Sequence, residues 1–206
     1  GIAVLRLKKP LEFYLEKYGS AFYGMNKMHL LMEKQHNRGQ DGAGLANIKF
    51  DMEPGERYIS RHRSIAKHPI EDLFNYIGEK IQAIEEENPE LLTDIDYLKK
   101  NIGFTGELFL GHLRYGTFGR NSIESYHPFL RQNNWITRNL VVAGNFNLTN
   151  VDELFKVLVK LGQHPKEVSD TVTVLEKIGH FLDVENEEMF NLLKPQGYTN
   201  KEIYDK

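Results

Sequence analysis

The sequence contains no cysteine, which excludes disulfide staples and thiolate metal sites from whatever holds the fold or performs chemistry here. It has no uninterrupted apolar run of about 18 residues, the length of a membrane-crossing helix, and no basic segment before Gly1-Ile2-Ala3-Val4-Leu5, so neither a spanning helix nor a signal peptide is visible. Neither sign of charge dominates. With 26 Lys+Arg against 29 Asp+Glu, a formal charge of -3 and a pI near 6.3, there is no electrostatic reason to expect a nucleic-acid partner. The eight histidines include no pair at HExxH-like spacing, so no metal site is expected. These absences leave a cytoplasmic protein with no membrane partner, and small-molecule chemistry as its business. What is present is ordinary globular material: 40% hydrophobic and 27% charged residues over 206 positions, enough to bury roughly 70% of the unfolded surface in one compact domain.

Along the chain, Ile2 to Leu7 is β-rich from the first residues, so this end is expected to be tethered inside the fold. Phe22, Met25, Met28, Leu31 and Met32 recur at helical spacing, which predicts an amphipathic helix over 21–36 ending near Arg38-Gly39. Gly42 to Phe50 and Arg57 to Ser60 predict a hairpin around Pro54-Gly55, and therefore an antiparallel sheet. From Ile70 to about Lys100 the pattern is helical and charged, broken at Glu85-Glu86-Glu87-Asn88-Pro89, and reads as a peripheral helical insertion over about 63–104. Glu107 to Tyr115 and Asn139 to Ala143 return to strand character, the second as an apolar run suited to a sheet covered on both faces. Asn150-Val151-Asp152-Glu153 offers a helix N-cap followed by Leu154, Leu158 and Leu161, and Ser169 to Leu182 predicts a helix with Val172, Leu175, Ile178 and Leu182 on one face. Thr199-Asn200-Lys201-Glu202 has the form of a capping box with four residues after it, so the chain is expected to be an N-terminal portion of a longer polypeptide.

Three glycine-containing polar clusters interrupt this pattern: His36-Asn37-Arg38-Gly39-Gln40-Asp41-Gly42-Ala43-Gly44, Gly111-His112-Leu113-Arg114-Tyr115-Gly116-Thr117-Phe118-Gly119, and Ala143-Gly144-Asn145-Phe146-Asn147-Leu148-Thr149-Asn150. Each sits where a strand or helix ends, the place where a rigid scaffold positions functional groups and glycine lets backbone approach a ligand. Turn chemistry explains any one of them equally well. By the same measure Arg114 fits an ordinary ion-paired arginine, Asp170 a helix N-terminal acid and Asn145 a turn residue. His36 and His112 read as structural hydrogen bonders rather than catalytic bases.

Taken together and in this order, the three clusters resemble the glutaminase domain of class II (N-terminal-nucleophile) glutamine amidotransferases. A fourth element, Ser169-Asp170-Thr171, falls where that family has Ser-Asp-Ser/Thr. The wording of the clusters looks most like the glutamine phosphoribosylpyrophosphate amidotransferase group within that family, over residues 1 to about 182 apart from the insertion. The resemblance implies an α+β fold, the four-layer αββα sandwich of antiparallel sheets, and hydrolysis of glutamine to glutamate and ammonia by an N-terminal cysteine. It implies further that Arg114 clamps the substrate α-carboxylate, for which a guanidinium fork is suited, with Thr117 beside it, and that Asp170 receives the α-ammonium. Asn145 would donate its side-chain amide to the oxyanion, worth about 3 to 4 kcal/mol in comparable hydrolases, and Phe146 its backbone N–H.

The chain departs from the family pattern twice. It opens Gly1-Ile2 where the family opens Cys-Gly-Ile, so Gly1 stands at the second position of the catalytic terminus, and as written the chain is expected to be inactive. An N-terminal nucleophile depends on its own α-amine, of pKa about 8, as base. Phe146 stands where the family has glycine, which suits an oxyanion donor only if that position does not need positive φ. The resemblance implies glutamine as substrate, a C-terminal synthase domain of the same polypeptide as recipient of the ammonia, and no cofactor for the glutaminase itself. A transferase of the glycosyltransferase kind in purine biosynthesis is the expected setting, and a homo-oligomer is compatible. Two alternatives remain: a nucleophile-free domain that binds glutamine for regulation, and the glutaminase half of another amidotransferase.

Overall fold

The structure, a computed structural model, describes residues 1–115, 123–165 and 168–205. The chain divides into two compact units, Gly1–Pro128 and Phe129–Lys206. Their mixed helix and antiparallel sheet make an α+β protein.

In the first unit, β1 (Ile2–Arg6) alternates exposed and half-covered residues. A helix that the sequence reading did not single out follows. This α1 (Leu11–Tyr18) buries Leu11 and Tyr14 and ends at Gly19, whose left-handed φ of 72° lets its N–H return to the Leu15 carbonyl. The next helix, α2 (Tyr23–Lys34), buries Met25, Met28 and Met32 and passes into a 3-10 turn over His36–Arg38. Leu31 from the expected apolar stripe points outward, 40% exposed. Strand β2 (Gly42–Ile48) and β3 (Ile59–Ser64) form the expected hairpin, with β3 running four residues beyond Ser60. Two helices, α3 (Pro69–Glu87) and α4 (Ile95–Asn101), then lead to β4 (Leu108–Arg114). The four strands make one antiparallel sheet in the order β1-β4-β2-β3.

Residues 69–101 are helical as expected, but they are not peripheral. Ile70, Leu73, Phe74, Ile77 and Ile84 of α3, with Ile95 and Leu98 of α4, join Met28, Met32, Leu45, Phe109 and Leu113 in one core. The charged residues of this segment occupy the outer side of the helices and dominate its composition, while the apolar set at 70, 73, 74 and 77 lines the inner side. Strand periodicity completes the picture, since the odd-numbered Ala43, Leu45, Phe109 and Leu113 all belong to this core. A buried polar group locks the end of α4. The Lys49 ammonium, 4% exposed, donates to the Ile102 carbonyl at 2.7 Å and to the Lys99 carbonyl. Thr105 Oγ1 donates to the Leu98 and Ile102 carbonyls at 2.9 and 2.7 Å, so the last carbonyls of the helix are satisfied by side chains. Burial, then the neighbouring Lys99 and Arg57, push the Lys49 amine down to about 8.

In the second unit β5 (Phe129–Arg131) pairs antiparallel with β6 (Leu140–Val142). The apolar run at 139–143 was expected to lie in a sheet covered on both faces; instead Leu140, Val141 and Val142 are half-buried in a two-stranded ribbon. Helix α5 (Val151–Lys160) starts at Asn150 without a side-chain cap bond and buries Leu158. Helix α6 (Asp170–Leu193) is capped by Ser169, whose hydroxyl accepts from Val172 N, and continues eleven residues past Leu182. Its buried face is Thr171, Leu175 and Gly179 rather than one containing Ile178, which is 41% exposed. Gly179 is bare because a Cβ there would meet the Arg131 guanidinium, which forks onto Asp183 at 3.1 and 2.5 Å. The capping box at Thr199 and Glu202 opens α7 (Asn200–Tyr204) as expected. No helix among the described residues is long and apolar enough to cross a membrane.

Candidate functional site

The antiparallel register sets the first half of the site. Ile2 pairs with His112, and the ladder continues one step further: the Gly1 amine donates to the Leu113 carbonyl at 2.6 Å and Leu113 N–H donates back to the Gly1 carbonyl at 2.8 Å. The amine also donates to the Arg38 carbonyl at 3.1 Å. Partial burial, and then the Arg38 charge, hold its pKa below the usual value for an α-amine. The expected tethering of this end is therefore observed, through two residues 37 and 112 positions away. The 36–41 cluster is stitched to the same end of β4. Asp41 N–H donates to the Arg114 carbonyl at 3.0 Å, and the Tyr115 hydroxyl donates to the Asn37 carbonyl. His36 bonds the Glu33 carbonyl through Nδ1 at 3.0 Å, the structural role expected of it.

Arg114 ends β4 opposite Gly42. Its Nη1 donates to the Ser125 hydroxyl at 2.9 Å and to the Ser125 carbonyl, and its Cζ lies 4.7 Å from the centre of the Tyr126 ring. Tyr126 is only 2% exposed; its hydroxyl donates to the Asp41 carbonyl at 3.1 Å. The ring occupies the space a Cβ would fill at Gly42, so glycine is required there by close approach. Arg63 of β3 supports the same segment by donating to the Tyr126 carbonyl at 2.9 Å. Beneath Arg114, His112 and His127 pack with ring centres 4.5 Å apart. Burial above all, then His127, the N-terminal amine and Arg114, push His112 down to about 3; burial, Arg114 and Arg63 push His127 down to about 4. Both rings are neutral at physiological pH, so the fixed positive charge of this end comes from its guanidiniums, Arg114 with Arg38 and Arg63 nearby.

The other expected residues lie in the second unit. Asn145 is exposed and Phe146 half-buried in the segment after β6. The Phe146 ring covers Gly144 where a Cβ would otherwise stand. Among described non-glycine residues positive φ occurs at Asp51 and Phe104, so Phe146 keeps an ordinary backbone and does not need glycine's freedom. Asp170 opens α6, and its carboxylate accepts from Leu148 N–H at 2.9 Å. That bond joins the 145–150 cluster to the Ser169-Asp170-Thr171 element, two segments that the sequence could only order along the chain. Thr117 lies outside the described residues. The expected residues thus fall in two groups, Gly1 with Arg114 and Asn145 with Phe146 and Asp170.

Sequence reasoning missed Ser125, Tyr126 and Arg63. The available signal was an aromatic flanked by Ser and His just before Pro128, soon after the second cluster. Among the described residues no group of three or more His, Asp or Glu side chains is placed to hold a metal ion. A cleft of 740 Å³ opens at the opposite end of the sheet, lined by Arg6, Lys8, Phe50, Asp51, Lys99 and Glu107 among others. It contains none of the expected residues, and two of its lining residues, Lys99 and Glu107, form an ion pair at 2.8 Å. The convergence of sequence-distant polar groups on Arg114 is the better guide to chemistry.

No protein-family model matches this chain. Amidophosphoribosyltransferase of Archaeoglobus fulgidus is 27% identical over 164 residues, which cover 80% of this chain and 28% of that protein. The chain therefore spans just over a quarter of the length of the curated relative it matches. Among solved structures, glutamine phosphoribosylpyrophosphate amidotransferase from B. subtilis, complexed with ADP and GMP, has a TM-score of 0.45 at 22% identity and covers 88% of this chain and 29% of its own. A structure described as the allosteric regulatory enzyme of purine biosynthesis has the same TM-score and identity and covers 98% and 31%. The resemblance read from the motifs thus coincides with the curated relative: this chain is similar to amidophosphoribosyltransferase.

Proposed function

We propose that this chain is the glutamine-hydrolysing module of a class II amidotransferase, supplying ammonia to phosphoribosyl-transfer chemistry in a synthase domain of the same polypeptide, in purine biosynthesis. The observation that carries the reading is the register at the start of β1. Ile2 faces His112 and Gly1 faces Leu113, so a residue joined to Gly1 would take the next ladder position, opposite Arg114 and on the same face of the sheet. A cysteine there would bring its thiol and its own α-amine beside the guanidinium that reads the substrate carboxylate. Arg114 supplies a fixed positive fork, Asp170 a carboxylate for the α-ammonium, and Asn145 and the Phe146 N–H two oxyanion donors. Thr117 would complete the substrate contacts.

A four-layer αββα sandwich goes with this reading. A homo-oligomer in the cytoplasm, with no cofactor for the glutaminase step, is the accompanying proposal.

Recognition is tested by calorimetry. L-glutamine binds the chain, Arg114→Ala abolishes the heat, and D-glutamine binds much more weakly because the carboxylate and ammonium exchange places. Equal binding of the two enantiomers would contradict a site that reads the substituents of the α-carbon.

A further inference from the structure

We infer that Ser125 and Tyr126 are the positioning residues for Arg114, presenting one chosen edge of its guanidinium to a carboxylate. The inference rests on the reading that Arg114 receives the substrate α-carboxylate, and it adds which atoms do so. A guanidinium offers donors along two edges, Nη1–Nη2 and Nη2–Nε, and either can take a carboxylate side-on. Here Nη1 is committed to the hydroxyl and carbonyl of Ser125, and the face of the group lies over the Tyr126 ring at 4.7 Å. Nη2 and Nε carry no hydrogen bond among the described residues, so the Nη2–Nε edge is the one left for an incoming anion.

The cradle is itself held from behind. Tyr126 is fixed at its hydroxyl by Asp41 at 3.1 Å, at its carbonyl by Arg63 at 2.9 Å, and along its ring by the bare backbone of Gly42. Asp41 in turn is tied to Arg114 by its own N–H at 3.0 Å. The loop that carries the first polar cluster and the strand that carries the second therefore meet through Tyr126. A ring of low conformational freedom under a cation both orients it and removes water from one face, which strengthens the remaining donors.

The test compares two ligands in the full chain: L-glutamine, and 4-aminobutanamide, which keeps the amine and the side-chain amide but lacks the α-carboxylate. Tyr126→Leu should weaken L-glutamine by about 10-fold and Ser125→Ala, which retains the backbone acceptor, by about 3-fold, with Ser125→Thr restoring wild-type affinity. The carboxylate-free ligand should bind all variants alike. Parallel weakening of both ligands, or no weakening of either, would overturn the inference. A second measurement does not depend on any ligand. The Arg114 Nη1 protons, followed by nitrogen-15 NMR of arginine side chains, should exchange slowly in the wild type and measurably faster in Ser125→Ala, which loses one of the two Nη1 acceptors. Fast rotation of the guanidinium in the wild type would show that there is no cradle, whatever glutamine does. Failure of the wild type to bind L-glutamine, with slow Nη1 exchange intact, would instead remove the carboxylate reading and leave the positioning.

Discussion

The end of the sheet around Gly1 and Arg114 and the segment around Asn145 carry the expected polar residues in different ways. At the first, Gly1, Arg38, Asp41, Leu113, Arg114, Ser125 and Tyr126 are tied together by bonds that span up to 112 positions of chain, over a core shared by α2, α3 and β2. At the second, Asn145 is exposed and the bond from Leu148 to Asp170 is one anchor of its segment. Under the proposed function, fixing Arg114 before the ligand arrives lowers the cost of binding. The contrast is between a guanidinium held from several sides and a segment whose described anchors include the Leu148–Asp170 bond.

The comparison can be broken from its strong side. Leu73→Ala, at a site with no exposure, should cost about 3 kcal/mol, seen as loss of amide protection in β2 and β4; an effect under about 1 kcal/mol would show that α3 is peripheral after all. Gly42→Ala should follow, at about 1 to 3 kcal/mol, because its Cβ meets the Tyr126 ring, with loss of the slow Arg114 side-chain exchange as its signature. On the weaker side, Asp170→Asn should cost about 1 to 2 kcal/mol locally and expose the Leu148 amide to exchange without altering protection in β2. Unchanged exchange at Leu148 would mean that other contacts hold the segment.

Acid should affect the first unit specifically. An unfolded histidine titrates near 6.5, whereas folded His112 and His127 are pushed to about 3 and 4. Between those values the unfolded chain binds protons that the folded chain refuses, so stability falls as pH drops from 6.5 toward 3. His112→Gln should flatten that decline in denaturant titrations; an unchanged slope would mean that His112 is protonated in the folded state. Lys49 has the same sign at the other end of the scale, since its depressed pKa of about 8 against 10.5 in the unfolded chain adds stability as pH rises between those values.

The elements with clean periodicity were legible from sequence. The strand at the start, the Pro54-Gly55 hairpin, the 107–115 strand and the helices after Asn150 and Ser169 occupy the expected places because alternation or helical spacing was strong and turn residues marked their ends. The role of 63–104 was not legible, because composition reports the charged side of α3 and not what its apolar side meets. The apolar run at 139–143 misled for a related reason: continuous hydrophobicity states that a strand seeks cover, not that it has it on both faces. Arg114 was picked out by its place in a cluster that resembles the family's, but Ser125, Tyr126 and Arg63 were not, since a cradle made of a turn and a neighbouring strand has no local pattern.

The central claim concerns position: that a nucleophile joined to Gly1 stands opposite Arg114. Its most direct test is ammonia release from L-glutamine by a chain carrying a single cysteine directly before Gly1, with any initiator methionine removed and the unextended chain as blank. The account predicts glutaminase activity that is suppressed when one more residue precedes the cysteine, because the amine then becomes an amide without basicity, and that falls about 10²- to 10³-fold in Asn145→Ala with glutamine affinity largely kept. A folded, glutamine-binding protein with that cysteine in place and no ammonia release would contradict it and leave a domain that binds glutamine without hydrolysing it.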